Sequence, residues 1–334
     1  MATIRDVASR ANVSVSTASR ILSNSTKEKY ADETRERVRE ASTELGYRPN
    51  FAARALVSGK TRIIAAVFPR FHDSPFTALA SLQILSGIEA YCSDEGYHLL
   101  ISSPKIENGV LDHNFVDLLS GGYLDGVIMD GHSDISSIME FVTGLKLPLV
   151  ILGTYPYRHY LRSDNQMGGR LMIEHLIDLG HRRMGLIALR AIEDRMLGVR
   201  LAAEGRGLDA CAMPCEYGNF SAASGEAAVD KLIRANPGLT AVVAFNDRMA
   251  MGAIRRLQEL GYQVPEQISV VGHDDLPRSR DFNPPLTTVN HDLSEWGGLA
   301  MNMLLTVMHG ESPEPITIEP RLVVRQSTAA ALND

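Results

Sequence analysis

A chain of 334 residues exceeds what one small core holds and fits two or three folded units. Its 45% hydrophobic content and near-zero mean hydropathy describe a soluble globular protein, and no apolar run nears the roughly 20 residues needed to span a bilayer. The net charge of -7 hides an asymmetry: residues 1–62 hold 12 basic and 7 acidic residues (+5), the remainder 21 and 33 (-12). A basic head on an acidic body suits a nucleic-acid binder in which the head alone meets phosphate.

The start, Met1-Ala2-Thr3-Ile4-Arg5-Asp6, has no apolar stretch like that of a signal peptide, so a cytoplasmic protein is expected. Thr3, with Asp6 three residues on, is a box-like helix start. Ile4, Val7, Ala8 and Ala11 recur at helical spacing. Asn12 stands where the chain must turn, Val13 fits the corner, and Ser14 caps a second helix over about Val15–Ser23. In that helix Ala18, Ile21 and Leu22 face inward. Val15, Ser16, Thr17, Ser19 and Arg20 stay outside. Small hydroxyls and one arginine suit a helix in a major groove. Arg20 reaches guanine O6 and N7, Val15 meets a thymine methyl, and Ser16 meets a base edge. Thr17 and Ser19 are placed for phosphate oxygens. A solvated helix face is the bland alternative, weighed against the N-terminal position and the basic balance. A third helix is expected over about Asp32–Leu45, stopped by Gly46, with Val38, Ala41 and Leu45 closing a three-helix core. Next comes Arg48-Pro49-Asn50-Phe51-Ala52-Ala53-Arg54-Ala55-Leu56. Asn50 caps a short helix whose Ala53 and Leu56 share a face. So short a helix forms only beside a partner copy on DNA. Leu56 is the candidate wedge between base steps, unless the segment is a plain linker.

Residues 1–60 resemble the DNA-binding head and hinge of the lactose/galactose repressor family of bacterial transcription regulators. By that resemblance Val15, Ser16 and Arg20 read the operator and Leu56 enters the minor groove. Thr3, Thr17, Ser19, Asn50 and Ala53 complete the candidate DNA-contacting set. The stretch Ser23–Ala31 is about two residues longer than in many members, and Tyr30-Ala31 replaces a usual Val-Ser.

From Arg62 short apolar runs alternate with amphipathic stretches. Strands are expected at Ile63–Phe68, His98–Ile101, Gly126–Met129, Pro148–Leu152, Met184–Ile187, Ala241–Ala244 and Ile268–Val271. Helices are expected near Thr77–Glu95, Asn108–Ser120, Ser136–Gly144, Gln166–Leu179, Ala222–Ala235 and Asp247–Leu260. This alternation implies α/β architecture with two doubly wound parallel sheets, which bind ligands beyond the carboxyl ends of their strands. Arg70 to Phe76, Asp130, His132, Asn246, Asp247, His273, Asp274 and Asp275 follow strands. Carboxylates and amides beside Phe76 and Phe220 suit a polyhydroxylated ligand, and Arg195 is placed to clamp its oxygens. Asn246 or Asp247 can equally just cap the next helix. Gly168-Gly169 reads as helix packing rather than a phosphate loop. His132 and His291 lack metal spacing, and Cys92, Cys211 and Cys215 fit neither a disulfide framework nor a zinc site, so no metal and no cofactor are expected. No poised nucleophile with a supporting base appears, so no enzyme is expected. A sugar-transport protein would share the body but lack the head.

The body resembles the same family's effector domain, a two-lobed fold shared with periplasmic sugar-binding proteins. The matching blocks are Asp164-Asn165-x-x-Gly168-Gly169, His175 to Arg183, Asn246-Asp247-x-Met249-Ala250-x-Gly252 and Ser269 to Asp275. The resemblance implies effector contacts from Arg195, Phe220, Asn246 and Asp274, with Pro75, Phe76 and Asp130 from the first lobe and His291 nearby. Gly153 stands where some sugar-responsive members carry a carboxylate. The expected organisation is a helix-turn-helix domain (1–47), hinge helix and linker (48–61), and an effector-binding and dimerisation domain (62–334). In it, lobe one takes about 62–160 and 292–320, and lobe two about 161–291 and 321–330. The implied function is a repressor whose operator affinity is set by a small effector, a carbohydrate by the pocket's chemistry. The expected partners are a pseudo-palindromic double-stranded operator, that effector and a second copy of the chain, with no membrane. The short tail after Val324 has no heptad run, so no tail-mediated tetramer is expected.

Overall fold

Thr3 opens the first helix, α1 (Ile4–Arg10), through a complete capping box: its hydroxyl accepts the Asp6 amide, and the Asp6 carboxylate accepts the Thr3 amide at 2.8 Å. These are among the residues described by the computed structural model, namely 2–22, 30–48, 59–70, 79–107, 110–132 and 135–332. The chain divides into two units, Met1–Arg62 and Ile63–Asp334.

In the first unit α1 turns at Asn12, whose φ of 53° is the left-handed conformation expected there, into α2 (Val15–Leu22). Helix α3 (Asp32–Glu44) closes the head. Val7, Ala8, Ala11, Ala18, Ile21, Val38 and Ala41 form its core, with Ile4, Val13, Leu22, Tyr30 and Tyr47 packed around them. Leu45 was expected in that core and lies exposed, because α3 ends one residue earlier and turns the chain at Gly46.

The second unit holds two six-stranded sheets. The first has strands β1 (Ile63–Val67), β2 (His98–Ser102), β5 (Gly126–Asp130), β6 (Leu149–Leu152), β7 (Tyr160–Ser163) and β13 (Ile316–Ile318), in the order β13-β7-β6-β5-β1-β2, all parallel. A small antiparallel pair, β3 (Ile106–Glu107) and β4 (Val110–Leu111), stands apart. Helices α4 (Leu79–Glu95), α5 (His113–Ser120), α6 (Ser136–Gly144) and α12 (Leu293–Met308) belong to this lobe. The helix expected from Asn108 starts only at His113, because Asp112 is the N-cap and accepts the Asn114 amide at 2.7 Å. Two apolar clusters line the lobe. One joins α4 and α12 around Ile88 and Trp296, and the other includes Phe115, Leu119, Ile138 and Val142.

The second sheet has β8 (Met184–Ala188), β9 (Cys215–Tyr217), β10 (Ala241–Ala244), β11 (Ser269–His273), β12 (Thr287–Asn290) and β14 (Arg321–Val323), in the order β14-β12-β11-β10-β8-β9. Only β14 runs antiparallel. Helices α7 (Asn165–Asp178), α8 (Glu193–Gly205), α9 (Ala222–Ala235), α10 (Asp247–Glu259) and α11 (Pro277–Asp281) complete the lobe. One large core runs through it, from Met172 to Val289.

The chain passes between the sheets three times, after Ser163, after Asn290 and after Ile318. The first passage falls about three residues later than the boundary expected near 160, because β7 still pairs with β6 and β13. At the second passage Asp292, with φ 53°, receives both terminal nitrogens of Arg321 at 2.7 and 2.9 Å. Arg321 opens β14, so one bidentate pair fastens two passages together. Helices α7 and α8 approach through glycine: a Cβ on Gly169 would sit 2.1 Å from the Arg195 carbonyl oxygen, and one on Gly198 would sit 1.9 Å from that of Gln166. The Gly168-Gly169 pair is therefore a packing device, as its sequence context suggested.

Candidate functional site

In the head, Val15, Ser16, Ser19 and Arg20 are exposed on α2 and Thr17 is half-buried. The Ser14 hydroxyl accepts the Thr17 amide at 3.0 Å and lies 2.8 Å from the hydroxyls of both Ser16 and Thr17. The helix thus starts from a rigid cluster of three hydroxyls, each with further bonding capacity. Thr3 is exposed, with its hydroxyl engaged by Asp6. Asn50, Ala53 and Leu56 lie outside the described residues, as do Pro75 and Phe76.

In the second unit the residues after the strands converge from both lobes. Asp130 ends β5 and pairs with His132 Nδ1 at 2.5 Å. The His132 ring stacks on Trp296 of α12, with centroids 6.2 Å apart. Trp296 is the chain's single tryptophan and is fully buried. Its indole N–H donates to the His291 carbonyl at 2.9 Å, and its ring meets the His291 ring edge-on at 5.5 Å. His291 in turn lies 4.7 Å, ring to ring, from His273 at the end of β11. An unbroken line of rings therefore runs from the first lobe to the second.

Asp274 lies inside this line, 3.3 Å from His273 Nδ1 and 3.4 Å from His291 Nε2. Asp274 and Asp275 take positive φ, 129° and 52°, a costly conformation held by what surrounds it. Burial pushes the Asp274 carboxyl up, but the hydrogen bonds and charges of the two histidines outweigh it and hold the group well below the carboxylate range. Burial, joined by the Arg195 charge, holds His273 well below the ordinary imidazole value. His291 is lowered too, by burial first. His132 is raised instead: burial draws it down, but the charge and hydrogen bond of Asp130 prevail.

Arg195 sits in the first turn of α8 at 3% exposure. It donates through Nη1 to the Phe245 carbonyl and through Nη2 to Asn165 Oδ1 at 2.5 Å. Burial brings its guanidinium down to about 10, against the charges of Asp274 and Asp247. Asn246 is the N-cap of α10: its Oδ1 accepts the Met249 amide at 2.9 Å, and its Nδ2 donates to the carbonyl of Phe220 at 3.2 Å. The capping reading of Asn246 is therefore what the structure displays. Phe220 is half-buried, with φ 69°.

Sequence reasoning missed the hub next door. Asp247 is fully buried and accepts the Leu276 amide at 2.9 Å and the Ser279 and Thr288 hydroxyls, each at 2.5 Å. Burial, with the Asp274 charge adding to it, pushes its carboxyl up to about 7 against those three hydrogen bonds. Asp275 is also structural, bonded to Asn290 and Arg325. Trp296 was missed altogether, and His273, read as a residue after its strand, was not carried into the candidate effector set. The run His273-Asp274-Asp275 and the lone tryptophan beside His291 were the available signals.

Known proteins resemble this chain in both sequence and fold. Residues 3–50 match the bacterial regulatory proteins of the lacI family, and residues 173–328 match the periplasmic binding protein-like domain. The HTH-type transcriptional regulator CelR of Thermobifida fusca is 31% identical over 97% of this chain and 98% of its own. The HTH-type transcriptional repressor PurR of Aliivibrio fischeri (strain ATCC 700601 / ES114) is 33% identical over 99% and 100%. A solved CelR–cellobiose complex superposes with a TM-score of 0.72 at 29% identity, covering 98% of this chain and 100% of that one. The lac repressor dimer bound to operator and the anti-inducer ONPF gives 0.86 at 26%, covering 98% and 99%. Among the described residues no helix is long and apolar enough to cross a membrane. The chain belongs to the lacI family of bacterial regulatory proteins, and it is a DNA-binding transcriptional regulator rather than an enzyme.

Proposed function

We propose that this protein is a cytoplasmic homodimeric repressor that grips a pseudo-palindromic operator and answers to a small neutral carbohydrate held between its lobes. The convergence of Asp130, Arg195, Asn246, Asp274 and His291 from both lobes at one junction carries this reading. Carboxylate, amide and guanidinium groups beside aromatic rings match a hydroxylated ring with one apolar face. Phe220 lies next to Asn246, and Pro75 and Phe76 are assigned to the first-lobe side by sequence alone. The relative solved with cellobiose supports a sugar here. In the head, Val15, Ser16 and Arg20 read base edges, Thr3, Thr17 and Ser19 meet phosphates, and Asn50, Ala53 and Leu56 belong to a hinge whose leucine wedges base steps. Ligand and operator then couple reciprocally, typically by about 1–3 kcal/mol.

A thermal-shift screen of mono- and disaccharides, followed by operator binding with and without each hit, tests this. A bound sugar at one hundred times its Kd stabilises the protein by about 2.7 kcal/mol. A panel with no stabilising sugar would sink the carbohydrate. A stabilising sugar without effect on operator affinity would sink the coupling. Arg20→Ala should weaken specific binding by about 1–3 kcal/mol and relax one base position. A variant that bound every operator sequence as tightly as the wild type does would remove Arg20 from base reading.

A further inference from the structure

At the lobe junction His273, Asp274 and His291 each offer one ligand atom, and the three atoms lie within 4.8 Å of one another. The carboxylate–imidazole distances there, 3.3 and 3.4 Å, are longer than the about 2.7–2.9 Å of a strong charge-assisted hydrogen bond. Both match the spacing of two donors on one tetrahedral ion, about 3.3 Å for bonds of about 2.0–2.1 Å. The three side chains come from the end of β11 and the residue after β12, neighbouring parallel strands, so the sheet itself sets their separation.

His291 has unspent capacity. It is 6% exposed, and beyond the long 3.4 Å approach of Nε2 to Asp274 neither ring nitrogen has a hydrogen-bond partner among the described residues. Buried imidazole nitrogens are normally paired. The Asp274 carboxylate is not paired with Arg195, whose terminal nitrogens go to Phe245 and Asn165.

We infer that His273, Asp274 and His291 form a binding site for a divalent transition-metal ion of the zinc class. Two imidazoles and one carboxylate are a ligand set of that class, and three protein ligands leave a fourth position for a water or a ligand oxygen. The inference deepens the effector reading by placing an ion at the same junction, and it rests on that reading only for the location.

The test uses the full-length, tag-free protein stripped with a chelator, titrated with Zn2+ by calorimetry and with Co2+ by visible absorption. The expected result is one ion per chain and the ligand-field bands of four-coordinate cobalt with nitrogen and oxygen donors. Exposed Cys211 is a rival soft ligand, so its thiolate-to-cobalt charge-transfer band in place of those bands overturns the inference. His291→Gln and Asp274→Asn should each weaken binding at least about tenfold with native circular dichroism. Unchanged binding in both overturns it, and so does the absence of saturable binding to wild type. The wild-type cobalt spectrum decides the matter even where a variant does not fold. A sugar that stabilises the metal-free protein, alongside no ion binding, would leave the carbohydrate reading intact and end this one.

Discussion

The two lobes meet at the junction with different chemistry. The second lobe presents groups wired to its own backbone: Arg195 on the Phe245 carbonyl, Asn246 on the Met249 amide and the Phe220 carbonyl, Asp247 on the Leu276 amide. The first lobe presents rings: His132 lies on Trp296, whose indole is seated in an apolar cluster with Ile88 and Leu304. Polar groups locked by second bonds keep their direction whether or not a ligand is present, which gives specificity. A flat surface over an apolar core contributes contact area and tolerates small displacement. Selectivity should therefore reside in the second lobe and closure in the first.

Removing Arg195 should break this contrast most severely. Arg195→Leu strips the donor from Asn165 Oδ1 and the Phe245 carbonyl, both deep in the junction, and takes away the cation facing Asp274 and Asp247. Deleting one partner of a buried charged set typically costs about 3–5 kcal/mol. Urea unfolding without any ligand measures it. A loss below about 1 kcal/mol would mean that the second lobe is not locked through this residue.

The sequence made that lobe's frame legible and left its wiring hidden. Buried parallel strands such as β10 and β11 are short uninterrupted apolar runs, so their places were evident. Edge strands were not: β7 carries Arg162, β9 Glu216, β13 Thr317 and β14 Arg321, which break an apolar pattern. Helix α12 escaped because Leu299, Leu305 and Val307 widen the buried stripe of Leu293, Trp296, Ala300 and Leu304 well beyond a narrow seam. Asn246 and Asp274 stood out through family blocks, and Arg195 as an arginine at a helix start. Asp247, Trp296 and the meeting of His273 with His291 depend on pairings between distant strands and helices, which no local pattern encodes.

Asp247 offers the next test. Its carboxyl is raised from 3.8 to about 7 in the folded state, so the fold binds that proton more tightly than the unfolded chain does. The associated stability is complete below about pH 4 and is lost as pH rises toward 7, by a few kcal/mol at most. Asp247→Asn removes this titration, and its unfolding free energy should stay flat over that window where the wild type declines. Parallel curves for the two proteins would show that Asp247 is ionised throughout. A smaller effect is expected in the first lobe from Trp296→Phe, which keeps a ring against His132 but leaves the buried His291 carbonyl without its donor. That should cost about 1–3 kcal/mol. A neutral outcome would mean that the indole N–H does not hold the His291 segment.

The smallest effect tests the same contrast by pH. His132 and Asp130 are the partly exposed pair of the first lobe, with about a quarter of each side chain in solvent. The His132 imidazole is raised above its ordinary 6.5, so its contribution is fully present below that value and disappears as pH climbs through the folded-state pKa. Asp130→Asn should therefore lose about 1 kcal/mol at pH 5.5, a charge-assisted hydrogen bond reduced by solvent screening, and nothing at pH 9. This window opens where that of Asp247 closes, so the two lobes can be titrated separately in one set of unfolding curves. An Asp130→Asn deficit of equal size at both pH values would mean that the pair acts through neutral hydrogen bonding. The first lobe would then hold its side of the junction by the same fixed wiring as the second.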